Sequence, residues 1–439
     1  MTAAAQEQDP PLWRDRNFTI FWVVQTLSVG GASFSYLAIP LLVLDATGSV
    51  TQMGLLTGVA GAASIIAGIG AGTLVDRVDR RTLLIWCDAV RALLYALIPL
   101  AWLFSPQLWL LYVVMPVGSA VAMVFQVGYA SAVPNLVPAS RITEANGRLF
   151  ASYAAAGVVG PMLAGGLSAL LGPTAAIGVD AATFAVNALG LCLVRFRHAG
   201  TAADGGGSSR TRSRPGWDDL LVGARFLRSQ PVLRALTGRL ALLTFLTFGL
   251  TDLYVYHLKH DLGRSDRTVG YVLAVAALGT IAAALLVAPA RRRLGFGVCW
   301  IGSYALAALG IVGLGAAALG LSGDARTVAV LVGVVVFGTS IAGICSLSLR
   351  QEVTPDPLLG RVTSAFWTIH TAPGPLGAAL LTLAAARWGT AWVFLLAGSA
   401  CLVVVASALR TPIRLPHPER ASAADPPAAV TGSATRTTG

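Results

Sequence analysis

Among the ionisable residues inside stretches apolar enough to be hydrocarbon-facing, five are candidates for chemistry: Asp88 with Arg91, Asp180, Asp252 and His370. Holding a charge at the centre of a bilayer costs at least about 2.5–3.5 kcal/mol, so such residues are candidates for a task by default. An acid in a low-dielectric setting is a candidate proton carrier. Asp252 is the first candidate for such a coupling or substrate-facing role, and Asp180 the second. Asp88 and Arg91, at i and i+3, share a helix face and can neutralise each other. Each has a structural alternative: an intrahelical ion pair for Asp88–Arg91, a hydrogen bond at a helix start for Asp180, a satisfied buried imidazole for His370. His370 is followed by Pro373, Gly374 and Pro375, which should interrupt a helix. Irregular backbone at that depth is tolerated only against protein or a water-filled cavity.

No nucleophile–base constellation, phosphate-cradling glycine loop or paired-cysteine motif accompanies these residues. The five cysteines (Cys87, Cys192, Cys299, Cys345, Cys401) are scattered through apolar runs without metal-ligand spacing. Neither an enzyme, nor a nucleotide-driven pump, nor a metal or cofactor is expected.

The elements that must position the five residues are set by composition. The chain has 439 residues, 55% hydrophobic and 12% charged, against about 25% charged in ordinary soluble domains. It reads as an all-α membrane protein. Spanning takes about 20 apolar residues, and runs of that kind lie near 18–44, 52–75, 83–104, 108–131, 146–171, 174–195, 233–257, 267–290, 297–321, 326–349, 361–386 and 390–410. Residues 1–11 are polar without a basic stretch, so the first run is expected to be a retained helix rather than a cleaved signal. The formal charge of +11 sits in short clusters between the runs, which argues against nucleic acid as a partner.

Basic residues orient the spans. Twenty-four Arg fall on the side that holds both termini, whereas Lys259, Arg264, Arg267, Arg326 and Arg387 fall on the other. Both termini are therefore expected in the cytoplasm of a multi-pass plasma-membrane protein. Residues 196–232 read as a cytoplasmic linker, rich in Gly, Ser and Arg and ending in a short amphipathic helix near 217–227. That leaves a cytoplasmic segment 1–17, a first set of six spans over 18–195, a second set over 233–410 and a disordered cytoplasmic tail over 411–439.

The tightest motif is G-x-x-x-D-R-x-x-R-R from Gly72 to Arg81, with Asp76, Arg77 and Arg80 within it. Five charges in six residues mark a turn at a membrane face. Arg77, Arg80 and Arg81 suit the anionic headgroup region, and a topogenic cluster is the plain alternative. A weaker echo, Arg291 to Gly295, ends the eighth run. Pro134-Asn135 leading to Arg141 and Thr143 is repeated by Pro355-Asp356 leading to Arg361 and Thr363. Such internal repeats mark two related halves.

With these residues, the chain resembles the major facilitator superfamily. The stretch from Trp13 to Phe18 with Gln25, Ser28 and Gly30, the Pro134–Pro138 turn with Glu144 and Asn146, and Gln351–Pro355 with Gly360-Arg361 are similar to its macrolide- and siderophore-exporter branch. The resemblance implies twelve transmembrane helices in two pseudo-symmetric six-helix halves. It implies proton-coupled export of a small amphipathic compound by alternating access. The partners are then a small-molecule substrate, protons and the lipid bilayer, with the chain acting as a monomer. An importer or uniporter, and a non-transporting sensor, are the alternatives. Gly72 would allow close helix approach, and Asp76 would act as a cytoplasmic gating latch. Gly157, Gly160, Pro161, Gly165 and Gly166 approximate the helix-5 hinge motif of antiporters. Gln25, Phe34, Tyr36, Gln126, Tyr129 and Trp367 are candidates to line a cavity. Two departures stand out: Gly31 replaces the branch's usual Asp, and residues 108–131 lack the antiporter Arg.

Overall fold

The computed structural model describes residues 12–138, 141–195, 217–321, 324–355 and 358–417. These residues are helical with no strand among them, as composition requires. Asp15 caps α1 (Arg16–Thr47), accepting from the Asn17 and Phe18 amides at 2.9 and 3.2 Å. Gly48, at φ +63°, ends it. Next come α2 (Val50–Arg77), α3 (Arg80–Trp102), α4 (Leu108–Leu136), α5 (Ile142–Leu171) and α6 (Pro173–Leu193). A 32-residue helix such as α1 is about 48 Å long at 1.5 Å per residue, ample for a core about 30 Å thick.

The amphipathic helix α7 (Trp217–Ser229) precedes α8 (Pro231–Thr247) and α9 (Leu250–Tyr256), followed by a π turn at His257–Asp261. Then α10 runs Asp266–Ala316, α11 Ala325–Val353, α12 Leu359–Thr371, α13 Gly374–Trp388 and α14 Thr390–Ala408. Eleven stretches among the described residues are long and apolar enough to cross a membrane, one of them Asp266–Gly320. Gly295 within α10 has φ 76° and ψ 172°, which no helix contains. The helix turns back there, so this one stretch supplies the eighth and ninth crossings and the total is twelve. Lipid-facing positions are apolar: Leu170, Leu285 and Val403 lie exposed on the helix exteriors.

The chain forms two compact units, residues 1–215 with 255–274 and residues 216–254 with 275–439. In the first, Phe18, Phe21, Leu84, Leu191 and Val194 build a core where α1, α3, α4 and α6 meet. In the second, Trp300 is fully buried and donates to the Ser346 hydroxyl at 2.9 Å. There α7 lies against α12 so closely that a Cβ at Gly223 would stand 2.2 Å from the Arg361 carbonyl.

The tail differs from expectation at its start. Residues 411–417 are ordered: Pro412–Arg414 make a 3-10 turn with Ile413 fully buried. The Phe296 and Gly297 amides donate to the Pro416 and Leu415 carbonyls at 2.9 and 3.2 Å. Low apolar content hid this because the tail is fixed by backbone bonds and one isoleucine. Residues 418–439 lie outside the described residues.

Candidate functional site

The first unit contains a buried polar seam, built by three helix faces. On α3, Asp88, Arg91 and Tyr95 stand at i, i+3 and i+7; on α6, Asp180, Thr183, Phe184 and Asn187 do so at i, i+3, i+4 and i+7; on α1, Gln25, Ser28 and Ser35 repeat with helical spacing. Small residues let the faces close. A Cβ on Gly31 of α1 would fall 1.9 Å from the Thr183 hydroxyl, and one on Gly190 of α6 would meet Val24 at 2.4 Å. The Asp that the resemblance led one to expect at position 31 therefore has no room.

Within the seam the Asn187 amide uses both hydrogens, donating to Asp88 Oδ2 at 2.6 Å and to Gln25 Oε1 at 3.0 Å. Arg91 stands 3.6 Å from Asp88 Oδ1, and its guanidinium lies 3.7 Å above the Phe184 ring. The Thr183 hydroxyl donates to the Asp180 carbonyl at 2.8 Å and stands 3.5 Å from its carboxylate. Asp88 is 0% exposed and Asp180 1%. One guanidinium thus pairs with Asp88 out of water, and the second buried carboxylate, Asp180, lies in the same seam. With both acids ionised the seam carries one negative charge too many, and a single proton removes it. Gln25, expected to line a cavity, belongs to this seam instead, because its partner lies on α6. Asn187 was not singled out from sequence; its place seven residues after Asp180 was the available signal.

The other expected residues are distributed as follows. Asp252, buried near the start of α9, belongs to the second unit. His370 is buried at the end of α12. Its Nδ1 faces the Phe366 carbonyl at 2.8 Å, where it donates, and its ring lies against Trp367. Pro373 separates α12 from α13, yet Ala372 and Pro373 keep right-handed helical angles. Gly374 and Gly377 there receive Phe248 and the Phe245 carbonyl, so the interruption seats α8 against α13. Arg350, just beyond the apolar run 326–349, is 2% exposed within α11, 3.8 Å above the Phe366 ring.

In the charged turn, Asp79 caps α3 by accepting from the Thr82 amide at 2.9 Å. Arg81 donates to the Leu191 and Cys192 carbonyls and so caps the end of α6. Arg77 is exposed and Arg80 half-buried. Gly72 and Asp76 fall within α2, but what surrounds their side-chain positions lies outside the described residues. The fifth helix runs unbroken through Pro161. A Cβ on Gly160 would meet Ser33 of α1 at 2.4 Å, and one on Gly165 would meet Gly270 of α10 at 2.8 Å, whereas Gly157 and Gly166 face open space. Tyr36, Gln126 and Trp367 are exposed, whereas Tyr129 stacks between Phe21 and Phe125.

Known proteins resemble this arrangement at several levels. The family model described as Major Facilitator Superfamily matches residues 21–378. The MFS-type transporter y4rN of Sinorhizobium fredii is 28% identical over 323 residues, 69% of this chain and 74% of that protein. The enterobactin exporter EntS of Shigella boydii is 24% identical over 379 residues, 83% of this chain and 84% of that protein. Among solved structures, a bacterial homologue of the human lysosomal transporter Spinster has a TM-score of 0.70 at 15% identity, covering 94% of this chain and 98% of that one. The xylose transporter XylE of E. coli has a TM-score of 0.65 at 12% identity, covering 89% and 96%. At such identities the two structures speak for the fold alone.

Proposed function

The chain belongs to the major facilitator superfamily, and on that footing we propose that it exports a small amphipathic organic compound in exchange for protons. It is a membrane transporter rather than an enzyme. The observation that carries proton coupling is the seam of α1, α3 and α6, where Asp88 pairs with Arg91 and a second acid, Asp180, is buried out of water. A seam with one guanidinium and two buried acids is neutral with one proton bound, and so gains and loses that proton as its exposure alternates. The enterobactin exporter, a siderophore exporter by name, supports the outward direction and the organic cargo.

The two six-helix halves, 18–195 and 233–410 joined through 196–232, would rock about a central site as a monomer. The distribution of Arg supports cytoplasmic termini; a tag on Met1 cleaved by protease added to intact cells would reverse that. Asp76 remains our candidate for the cytoplasmic latch, and Asp252 for a second acid facing the cargo.

The test is transport of candidate compounds into everted vesicles with and without an imposed proton gradient. Gradient-driven accumulation is expected for the parent and lost, by about tenfold or more, in Asp88→Asn and Asp180→Asn, while substrate exchange at equal concentrations persists. Flux that ignores the gradient sinks the coupling and leaves a uniporter, the reading favoured by Gly31 and by the absence of Arg from residues 108–131.

A further inference from the structure

Lys259 is the only lysine in the chain. It sits in the π turn that follows α9, and its ammonium reaches two carboxylates on different helices: Asp266 at 2.5 Å and Asp45 at 3.4 Å. Asp266 begins α10, and Asp45 lies two residues before the end of α1. A lysine suits this junction because its compact ammonium carries three donors on a flexible stem. The neighbouring ionisable groups are engaged with one another: His257 Nδ1 lies 2.8 Å from one oxygen of Asp261, and His260 Nδ1 3.1 Å from the other.

A second contact holds the same end of α10. A Cβ on Gly165 of α5 would stand 2.8 Å from the Asp266 carbonyl and from Gly270 Cα, so α5 and α10 meet backbone to backbone. The start of α10 is thus held twice, by α1 through Lys259 and by α5 through paired glycines. This accounts for residues 255–274 grouping with the first unit rather than with the rest of α9 and α10.

We propose that Lys259 is the outer latch of the transport cycle, tying Asp45 to Asp266 when the outer side is closed and letting go when it opens. The proposal rests on the orientation argued above, which puts this end of α1 and α10 outside. It does not depend on the cargo, the direction of transport or the coupling ion. The glycine contact carries no charge and adds only packing; the ion bridge is the electrostatic bias toward the closed state. Because the bridge is partly exposed, its loss should shift the closed–open balance by only about three- to fivefold.

The experiment reads opening directly. Ala274 lies one turn beyond Gly270 on the same face of α10 and is buried. Ala274→Cys, in a Cys192→Ser background that removes the exposed native thiol, is labelled on intact cells with a membrane-impermeant maleimide. Lys259→Met and, separately, Asp45→Asn should each raise the labelling rate about three- to fivefold, and Lys259→Arg should stay within about twofold of the parent. Asp45→Asn alters an exposed side chain, so it answers even if Lys259→Met fails to assemble. Rates equal to the parent in both variants, with Ala274→Cys still reactive in denatured membranes, overturn the latch. Labelling confined to everted vesicles overturns the orientation instead, and the ratio of variant to parent then still decides the latch.

Discussion

Two helix pairs hold corresponding places, third and sixth, in the two sets of six spans, and they are closed by opposite means. In the first set α3 and α6 meet across Asp88, Arg91, Asp180 and Asn187. In the second set the stretch 296–316 of α10 meets α14 through glycine. A Cβ on Gly398 would stand 2.7 Å from the Val312 amide, and one on Gly315 would stand 2.8 Å from the Ala391 carbonyl. No charged residue occurs in either of those segments. The second pair demonstrates that this contact can be made dry. Buried ion pairs rarely stabilise more than well-packed apolar groups of similar size, so the charges between α3 and α6 are not what the fold needs. They fit the proton exchange proposed for this seam.

The comparison breaks most visibly at Arg91. Arg91→Met leaves buried Asp88 without its cation, and should cost roughly 3–5 kcal/mol of stability. The thermal midpoint of detergent-solubilised protein should fall accordingly, and Asp88→Asn added to it should recover much of the loss while leaving gradient-driven flux absent. An Arg91→Met protein as stable as the parent would make the polar seam no different in kind from the dry one. Next in size is Gly398→Val. It pushes a branched side chain into the α10 backbone, with an expected loss of about 1–3 kcal/mol. Flux per folded molecule should hold, since this seam moves no charge; a Gly398→Val protein that folds normally yet transports nothing would erase the contrast. The smallest effect belongs to the rim of the polar seam. Arg81→Gln removes the donor to the last carbonyls of α6, worth about 0.5–1 kcal/mol. A thermal shift as large as that of Arg91→Met would place the weight of the first unit in the charged turn rather than in the seam.

Much of this was readable before any coordinates. The runs of hydrophobicity delimit every span to within a few residues, because hydrocarbon thickness dictates their length. The i,i+3 spacing of Asp88 and Arg91 foretells their pairing, because a helix fixes it locally. What could not be read depends on the rotation of one helix against another. Asn187 meets Gln25 and Asp88 across long stretches of chain, and a neutral amide in an apolar run carries no pattern of its own. Arg350 and Lys259 were read as topological charges, yet the first is buried over an aromatic ring and the second bridges two helices. Counting basic residues uses their charge and not their reach.

The bend at Gly295 has a consequence for biogenesis. Its two free amides, on Phe296 and Gly297, are taken up by carbonyls of Pro416 and Leu415, residues made only after the last span has been synthesised. Chains fold largely in order of synthesis, but this turn cannot. It waits, with donors open, until the four further spans have been made and the segment behind them emerges. A nascent chain released before Leu415 would carry all twelve spans and still lack that closure.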